Sequence, residues 1–594
     1  MRKLVFLFLS LFAFCTASAQ VTTSSMSGRV ADTDGQPIIG ATIVAVHTPT
    51  GTQYATASTR NGQFNLGGMR VGGPYDVEVS FIGCNTEKIE GIYLTIGEEA
   101  TLDFVLREDS QSIGEVVVVG KANPVFNANR TGAQEVVTLE MMEKLPTTSR
   151  SLDEFVKLTP MSSGKNFAGT SYRFNNVTVD GASFNNSFGL SSALGAQGTE
   201  PISLESIEQV QVMIAPYDVR NGGFTGGGIN SVTKSGTNEW HASAYMYTKS
   251  PELQGRRVRD YVGQVSEFSN RQYGVSLSGP IVKNKLFFFV NGELDRQDEP
   301  ISNRLADSRV SAADLDDLAK FLGDQFNYNP GGYDLSKTET RADRLTARID
   351  WNINDRNTFS LKYYYLKSYN TNAPSTSGAP ANGRGPNAYA MPFSSSYYRT
   401  NNNFNIVMAD WNSTINDHMS NTLKVGYSRL RDYRDMDGGF FPQVDILKDG
   451  SSYTVFGTEA NSYNNQLDTD IFQIQDNFTM NYGRHQITVG TQSDYRTFKN
   501  GFAQNYPGSW VFSSIDDFKF NVLAAKDYMA SHGNMNGFDI RTYDPAKWGL
   551  NPVNGGLANS AGTGQTKFQQ RYPLTPDGSF PFAEVDVLQL GFYV

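Results

Sequence analysis

Arg344-Leu345-Thr346-Ala347-Arg348-Ile349-Asp350-Trp351-Asn352, followed after a turn by Thr358-Phe359-Ser360-Leu361-Lys362-Tyr363-Tyr364-Tyr365-Leu366, is the stretch on which the fold turns. Successive side chains of an extended chain point to opposite faces. In the first run Leu345, Ala347, Ile349 and Trp351 share one side, with Arg344, Thr346, Arg348, Asp350 and Asn352 on the other. In the second, Phe359, Leu361, Tyr363 and Tyr365 line up in the same way. Residues 354–357, Asn-Asp-Arg-Asn, are turn formers, so the two runs read as adjacent antiparallel strands. Residues 471–482 repeat the pattern through Phe472, Ile474, Phe478, Met480 and Tyr482, with Asp476 as the exception.

Working outward, segments of this texture recur from Trp240 onward. They are joined by short turns at 282–284, 354–357, 416–418 and 482–484, and by long segments at 250–270, 297–339, 368–398, 435–468 and 499–583. A soluble sandwich also alternates. The asymmetry of short and long connections is what marks an antiparallel transmembrane β-barrel, here of about ten strands over 236–594. The bulk properties agree. The chain has 594 residues, 12% aromatic, with 56 glycines and a formal charge of −10. That balance excludes the basic face of a nucleic-acid protein, so no nucleic acid is expected as a partner. No stretch after the leader approaches the roughly 18 apolar residues of a spanning helix.

The leader is residues 1–19. Arg2 and Lys3 precede an apolar run from 4 to 14, and Ala17-Ser18-Ala19 is a cleavage site, so the mature chain is expected to begin at Gln20. Cys15 raises the alternative of a lipoprotein, but Phe14 before it is too large for a lipobox. Cys84 is then the only mature cysteine, so no intrachain disulfide is expected. It reads as a small buried apolar residue.

Residues 20–108 carry turn signals at 32–35, 61–62 and 72–74 between short strands such as 41–46, 75–81 and 101–106. Tyr75, Val77, Val79 and Phe81 share a face, and about seven strands in so short a span predict a small β-sandwich. Residues 109–130 read as a polar linker interrupted by Glu115-Val116-Val117-Val118-Val119-Gly120. Four valines specify a strand. It is either the last strand of the sandwich or one held free, outside both folded units, to pair with another chain's sheet edge. Residues 131–235 change to α+β, with helical spacing at 151–158, a strand and turn at 174–181 and a helix-to-strand run at 203–212.

The search for catalytic chemistry comes up empty. The glycine cluster at 222–228 lacks the G-x-G-x-x-G order and is not followed by a P-loop Lys-Ser/Thr pair. His47, His241, His418, His485 and His532 form no HExxH pair and no metal-ligand spacing. There is no G-x-S-x-G elbow. The acidic run Asp314-Leu315-Asp316-Asp317 reads as a solvated helix face rather than a calcium site. No enzyme, catalytic residue, metal or cofactor is expected.

Three motifs carry resemblances. Ser27-Gly28-Arg29-Val30, Asp34-Gly35, Pro37, Gly40-Ala41 and Asn61-Gly62-Gln63-Phe64 resemble the carboxypeptidase regulatory-like domain, an accessory sandwich without peptidase activity. Cys84 stands where that family usually has an aromatic residue. Residues 115–120 resemble the TonB box of Bacteroidetes-type receptors. Ile207-Glu208-Gln209-Val210, with Gly226, Gly227, Gly228, Asn230, Val232, Thr233 and Lys234, resembles the end of the TonB-receptor plug domain. The Pro216-Tyr217-Asp218 form is similar to the Oar-like branch rather than the starch-utilisation class, and residues 272–280 and 285–291 resemble the first hairpins of Oar-like barrels.

The resemblance implies TonB-dependent active transport of a large nutrient, peptide, protein or glycan, across the cell outer membrane. It implies TonB with its energising inner-membrane complex, outer-membrane lipids and an extracellular ligand as partners; a lipoprotein lid is left open. The alternative is an outer-membrane adhesin or surface binding protein without transport, which needs neither box nor plug. About ten strands cannot surround a plug of about 105 residues, whose radius of gyration is near 13 Å, so the barrel is expected to be incomplete here and to continue past Val594.

Overall fold

The computed structural model describes residues 21–594 apart from 109–115, 120–131, 146, 148–149, 164–165, 186–193, 197, 217, 264, 302, 483–484, 559–567, 570–574 and 576. The leader and Gln20 lie outside the described residues.

The N-terminal unit is a two-sheet sandwich. Its labelled strands are β1 (Ser24–Asp32), β2 (Thr42–His47), β3 (Thr52–Ala57), β4 (Gln63–Met69), β5 (Gly72–Ser80), β6 (Glu87–Leu94), β7 (Glu99–Thr101) and β8 (Phe104–Leu106). One sheet runs β4-β1-β7, with β8 also paired to β1. The other runs β3-β2-β5-β6 and gains a fifth strand, β9 (Val116–Val119). Alternation builds the core: Tyr75, Val77 and Val79 are buried with Met26, Val30, Ile43, Phe64 and Phe104. Phe81 is not among them. Strand β5 ends at Ser80, so Phe81 escapes the alternation and is exposed. The turn at Asn61-Gly62 carries the chain from one sheet to the other, since β3 and β4 belong to different sheets.

The valine run requires a correction. Val116–Val119 pairs in parallel with β6, Lys88 opposite Val117 and Ile89 opposite Val118. It is therefore an edge strand of the sandwich in this structure, not a strand standing outside both folded units. The physical reason is the edge itself. Without β9, residues 87–90 would leave main-chain donors and acceptors unpaired, and a β-branched run satisfies them.

The next unit is a five-stranded sheet. Its strands are β10 (Gly132–Thr138), β11 (Asn176–Val179), β12 (Ala182–Ser183), β13 (Ile207–Pro216) and β14 (Gly228–Thr233), in the order β10-β13-β14-β11-β12. Two short helices, α1 (Leu139–Lys144) and α2 (Leu152–Val156), cover it, each capped by a hydroxyl, Thr138 and Ser151.

Around this unit stand ten long antiparallel strands: β15 (His241–Lys249), β16 (Ser269–Val282), β17 (Leu286–Pro300), β18 (Lys337–Asn354), β19 (Asn357–Asn372), β20 (Tyr398–Asn416), β21 (Met419–Asp435), β24 (Gln466–Tyr482), β25 (His485–Gly501) and β27 (Ala583–Tyr593). Each pairs with the next, and among the described residues β15 and β27 do not pair with each other. One lateral row of paired residues reads Ala242, Leu277, Val290, Ala347, Tyr363, Val407, Tyr427, Phe472, Tyr495 and Leu588. The neighbouring row includes Phe289, Arg348, Lys362, Met408, Gln473 and Asp494, all buried. The apolar row faces outward and the charged row faces in, the inverse of a soluble protein and the pattern of a wall in lipid.

At the long-loop end the connections fold into a cap. Strands β22 (Gln443–Lys448), β23 (Ser451–Phe456) and β26 (Ser509–Phe512) join Phe568–Gln569 in one sheet, beside helices α3 (Ala312–Phe326) and α4 (Ile515–His532). Leu315, Leu318, Leu322, Phe393, Ile446, Phe456 and Phe518 form its core. The acidic run lies on α3. Asp314 accepts from the Tyr453 hydroxyl at 2.5 Å, Asp316 from Tyr333 at 2.7 Å, and Asp317 pairs with Lys519. These carboxylates are partly exposed, as a solvated face requires, and also tether the loops.

Candidate functional site: the plug junction and the valine strand

The motif at 207–234 comes together as the hairpin of β13 and β14, with Ile207 opposite Thr233 and Val210 opposite Ser231. Ile207, Val210, Asn230, Val232 and Thr233 are buried. Glu208 sits at the register shift between Ile207 and Gln209 and faces Gly72 of the sandwich. Burial raises its carboxyl above the usual range, against the pull of Lys234 and Arg348 and with the help of Glu143. Lys234 donates its amide to Ser206 O at 2.8 Å. The glycines serve close approach. A Cβ on Gly227 would lie 2.5 Å from the buried ring of Phe167, and one on Gly226 would strike Asn175.

Asp180, at the turn between β11 and β12, is the hub where the five-stranded sheet meets the wall. Its carboxylate accepts from Thr233 Oγ1 at 2.5 Å and from the Tyr364 hydroxyl, with Lys362 Nζ at 3.6 Å and Arg348 Nη1 at 4.0 Å. Burial works to raise this carboxyl. The two cations and the hydroxyl donors outweigh it and hold Asp180 below its ordinary value. Arg348 also donates to Thr233 O at 2.7 Å and pairs with Asp350 at 2.8 Å, while Lys362 pairs with Asp410. Further staples run from Ser203 Oγ to Glu293 at 2.7 Å, from Arg344 Nε to Glu200 O at 2.6 Å and from Gln473 to Gly181 O at 2.9 Å. The apolar cores fuse, Phe184 lying edge-on to both Tyr364 and Phe404.

The sandwich seats against the short-turn end. Gln209 of β13 accepts from Ile96 N at 3.0 Å and donates to Leu94 O at 3.0 Å, and Gln211 donates to Ile96 O at 3.2 Å. Val71, Ile96, Val136 and Val232 make a small shared core. Arg70 reaches Ser235 Oγ at 2.7 Å and Asp350 at 3.7 Å, and Asn352 donates to Thr52 at 2.8 Å. His47 lies behind this seam, bonded to Thr50 Oγ1 at 2.7 Å. Burial, then the charge of Arg70, pushes its imidazole down to about 3, Asp350 opposing.

Of residues 115–120, Val116–Val119 forms β9, whereas Glu115 and Gly120 lie outside the described residues. Tyr217 does too. Asp180, Arg348, Lys362, Arg70, Gln209 and Gln211 were given no role by the sequence reading. The signal for some of them was present as charges recurring on the inward face of strands at 348, 350 and 362. Among the described residues no group of three or more His, Cys, Asp or Glu side chains is arranged to hold a metal.

Comparison with known proteins agrees with this architecture. Residues 25–107 match the carboxypeptidase regulatory-like domain, and residues 232–325 and 299–538 match the outer membrane beta barrel domain. The chain is 26% identical over 276 residues to the TonB-dependent transporter Oar of Myxococcus xanthus, a stretch covering 42% of this chain and 25% of that protein. It is 25% identical over 249 residues to the probable TonB-dependent siderophore receptor PirA of Acinetobacter baumannii, covering 38% and 28%. The matched stretches thus span about a quarter of these relatives. Among solved structures, the outer membrane transporter YddB from Escherichia coli superposes with a TM-score of 0.45 at 14% identity, covering 64% of this chain and 50% of that one.

Proposed function

The chain belongs to the outer membrane beta-barrel family, among relatives that are TonB-dependent receptors, and from that premise we propose that it carries a large nutrient, peptide, protein or glycan, across the outer membrane by TonB-dependent active transport. The observation that carries this reading is the plug sheet seated against a wall whose outer face is apolar and whose inner face is charged. A sheet filling such a wall blocks free passage, and an outer membrane holds no ATP. Opening therefore needs work delivered from the periplasmic side, where the sandwich, β9 and the short turns lie. The long-loop cap is the outer, ligand-meeting end. Residues 115–120 are the coupling segment, and 207–210 with 226–234 form the plug element that the work remodels. The partners are TonB with its energising complex, membrane lipid and an extracellular ligand.

The test is accumulation of labelled peptides, proteins and glycans in a deletion strain and in strains restored with the unaltered protein or with Val117→Pro. Proline removes a ladder donor and fixes φ. The expected result is that one substrate class is lost on deletion, returns with the unaltered protein and does not return with Val117→Pro at equal abundance. Surface binding without energised accumulation would identify an adhesin instead.

A further inference from the structure

The parallel pairing of β9 with β6 has no place in the transport reading as it stands. A coupling strand needs a free edge, yet this one is laid along the sandwich. We infer that the sandwich is a holder for the coupling strand: β6 keeps Val116–Val119 extended and parked, and gives it up when a partner strand takes it over. The inference rests on the coupling reading of residues 115–120 and adds what controls it.

Three observations carry it. First, the hold is short. Among the described residues Glu87 to Glu90 pair with Val116 to Val119, in the parallel arrangement, which is slightly weaker per residue than the antiparallel one. Beyond Glu90 the β6 edge is irregular: Gly91 lies in the left-handed region at φ 79°, where the register with β5 shifts before the strand runs on to Leu94. A longer antiparallel partner would outcompete such a hold.

Second, release changes the load path. The sandwich is fastened to the wall as well as the plug, through Arg70 to Asp350 and Asn352 to Thr52. Traction on a strand still fixed to β6 would run through the sandwich into those wall contacts. A released β9 stays joined to β8 on one side and to β10 on the other, so traction on it also reaches Gly132 at the start of β10 directly along the chain.

Third, that entry point suits unzipping. Gly132 pairs with Pro216 at one end of the β10–β13 ladder, so a pull there opens the pairs one after another toward Thr138 and Gln209. The last of these residues, Gln209, also holds the sandwich loop at Leu94 and Ile96. Parking β9 therefore keeps the plug unloaded until a partner has engaged.

The experiment uses the full chain purified in detergent, with Cys84→Ser and the facing pair Lys88→Cys and Val117→Cys. The probe is the isolated periplasmic domain of TonB. Affinity is measured for the oxidised and the reduced protein, and equal thermal melting of the reduced and unaltered chains controls for folding. A second pair, Ile89→Cys with Val118→Cys, repeats the test one residue on. The expected result is efficient crosslinking, binding at least tenfold weaker when oxidised, and full recovery on reduction. Equal affinity in the two states, with the crosslink verified by mass, overturns the inference, as does failure of both pairs to crosslink. Absence of binding even by the unaltered chain defeats the coupling reading itself and this inference with it.

Discussion

The plug is held by two junctions of different chemistry. Against the wall it meets fully buried charge: Asp180 between Lys362, Arg348, Thr233 and Tyr364. Against the sandwich it offers two amide side chains, Gln209 and Gln211, to the main chain of residues 94–96, beside a four-residue apolar core shared by the two units, with Glu208 facing Gly72 and Arg70 bonded to Ser235. Removing one member of a buried charge network strands the rest, at a cost of about 3–5 kcal/mol. A neutral hydrogen bond contributes roughly 1 kcal/mol net. The difference predicts a weaker seam at the sandwich than at the wall.

The comparison is most sharply tested at Asp180. Asp180→Ala leaves Lys362 and Arg348 facing each other with one carboxylate fewer, and should destabilise the seated plug by about 3–5 kcal/mol. Urea titration of plug fluorescence in detergent measures it. If the loss is no larger than at the sandwich seam, the contrast between the junctions is wrong. Gln209→Leu should cost less, roughly 2–3 kcal/mol, because Ile96 N and Leu94 O lose their partner. Its effect should appear as faster proteolysis of the sandwich, with the plug transition unmoved.

His47 gives a pH handle on the same seam. Its folded pKa of about 3 lies below the unfolded 6.5, so the unfolded state binds more protons between those values. Stability is complete above about 6.5 and falls as the pH drops through that window. Lowering pH from 7 to 5 should cost about 2 kcal/mol, a loss that His47→Gln should abolish in a pH series of sandwich melting. The smallest effect belongs to the exposed rim. Arg399→Ala breaks pairs with Asp435 and Asp437 and should change wall stability by less than about 0.5 kcal/mol in the same melts.

Much of this was legible because it is periodic. The alternation through Leu345, Ala347, Ile349 and Trp351 is a local property, and a strand translates it directly into an outer and an inner face. The element at 207–234 was recognised only by resemblance to a family motif; its pairing as a hairpin, in which Gly226 and Gly227 have steric reasons to lack a side chain, came from the structure. The cap at the long-loop end was not legible. Its strands and helices come from three separate loops and a fourth supplies Phe393, and nothing within 443–448 or 515–532 says which distant residues complete the layer. The full stop of β5 before Phe81 was missed for a similar reason, since burial there depends on where the facing sheet ends.

By itself, then, the sequence determined the elements whose logic is local: the alternating wall strands, the short turns and the strand nature of four valines. Tertiary structure alone decided partners. It set Asp180 of a turn beside Lys362 and Tyr364 about 180 residues on. It brought Gln209 to the main chain of residues 94–96, and laid Val116–Val119 on β6 rather than leaving it free. The physical reason is that a hydrogen-bonding edge and a buried charge each demand a partner without naming it. Which partner arrives depends on how the three units are seated together, and no window of sequence contains that.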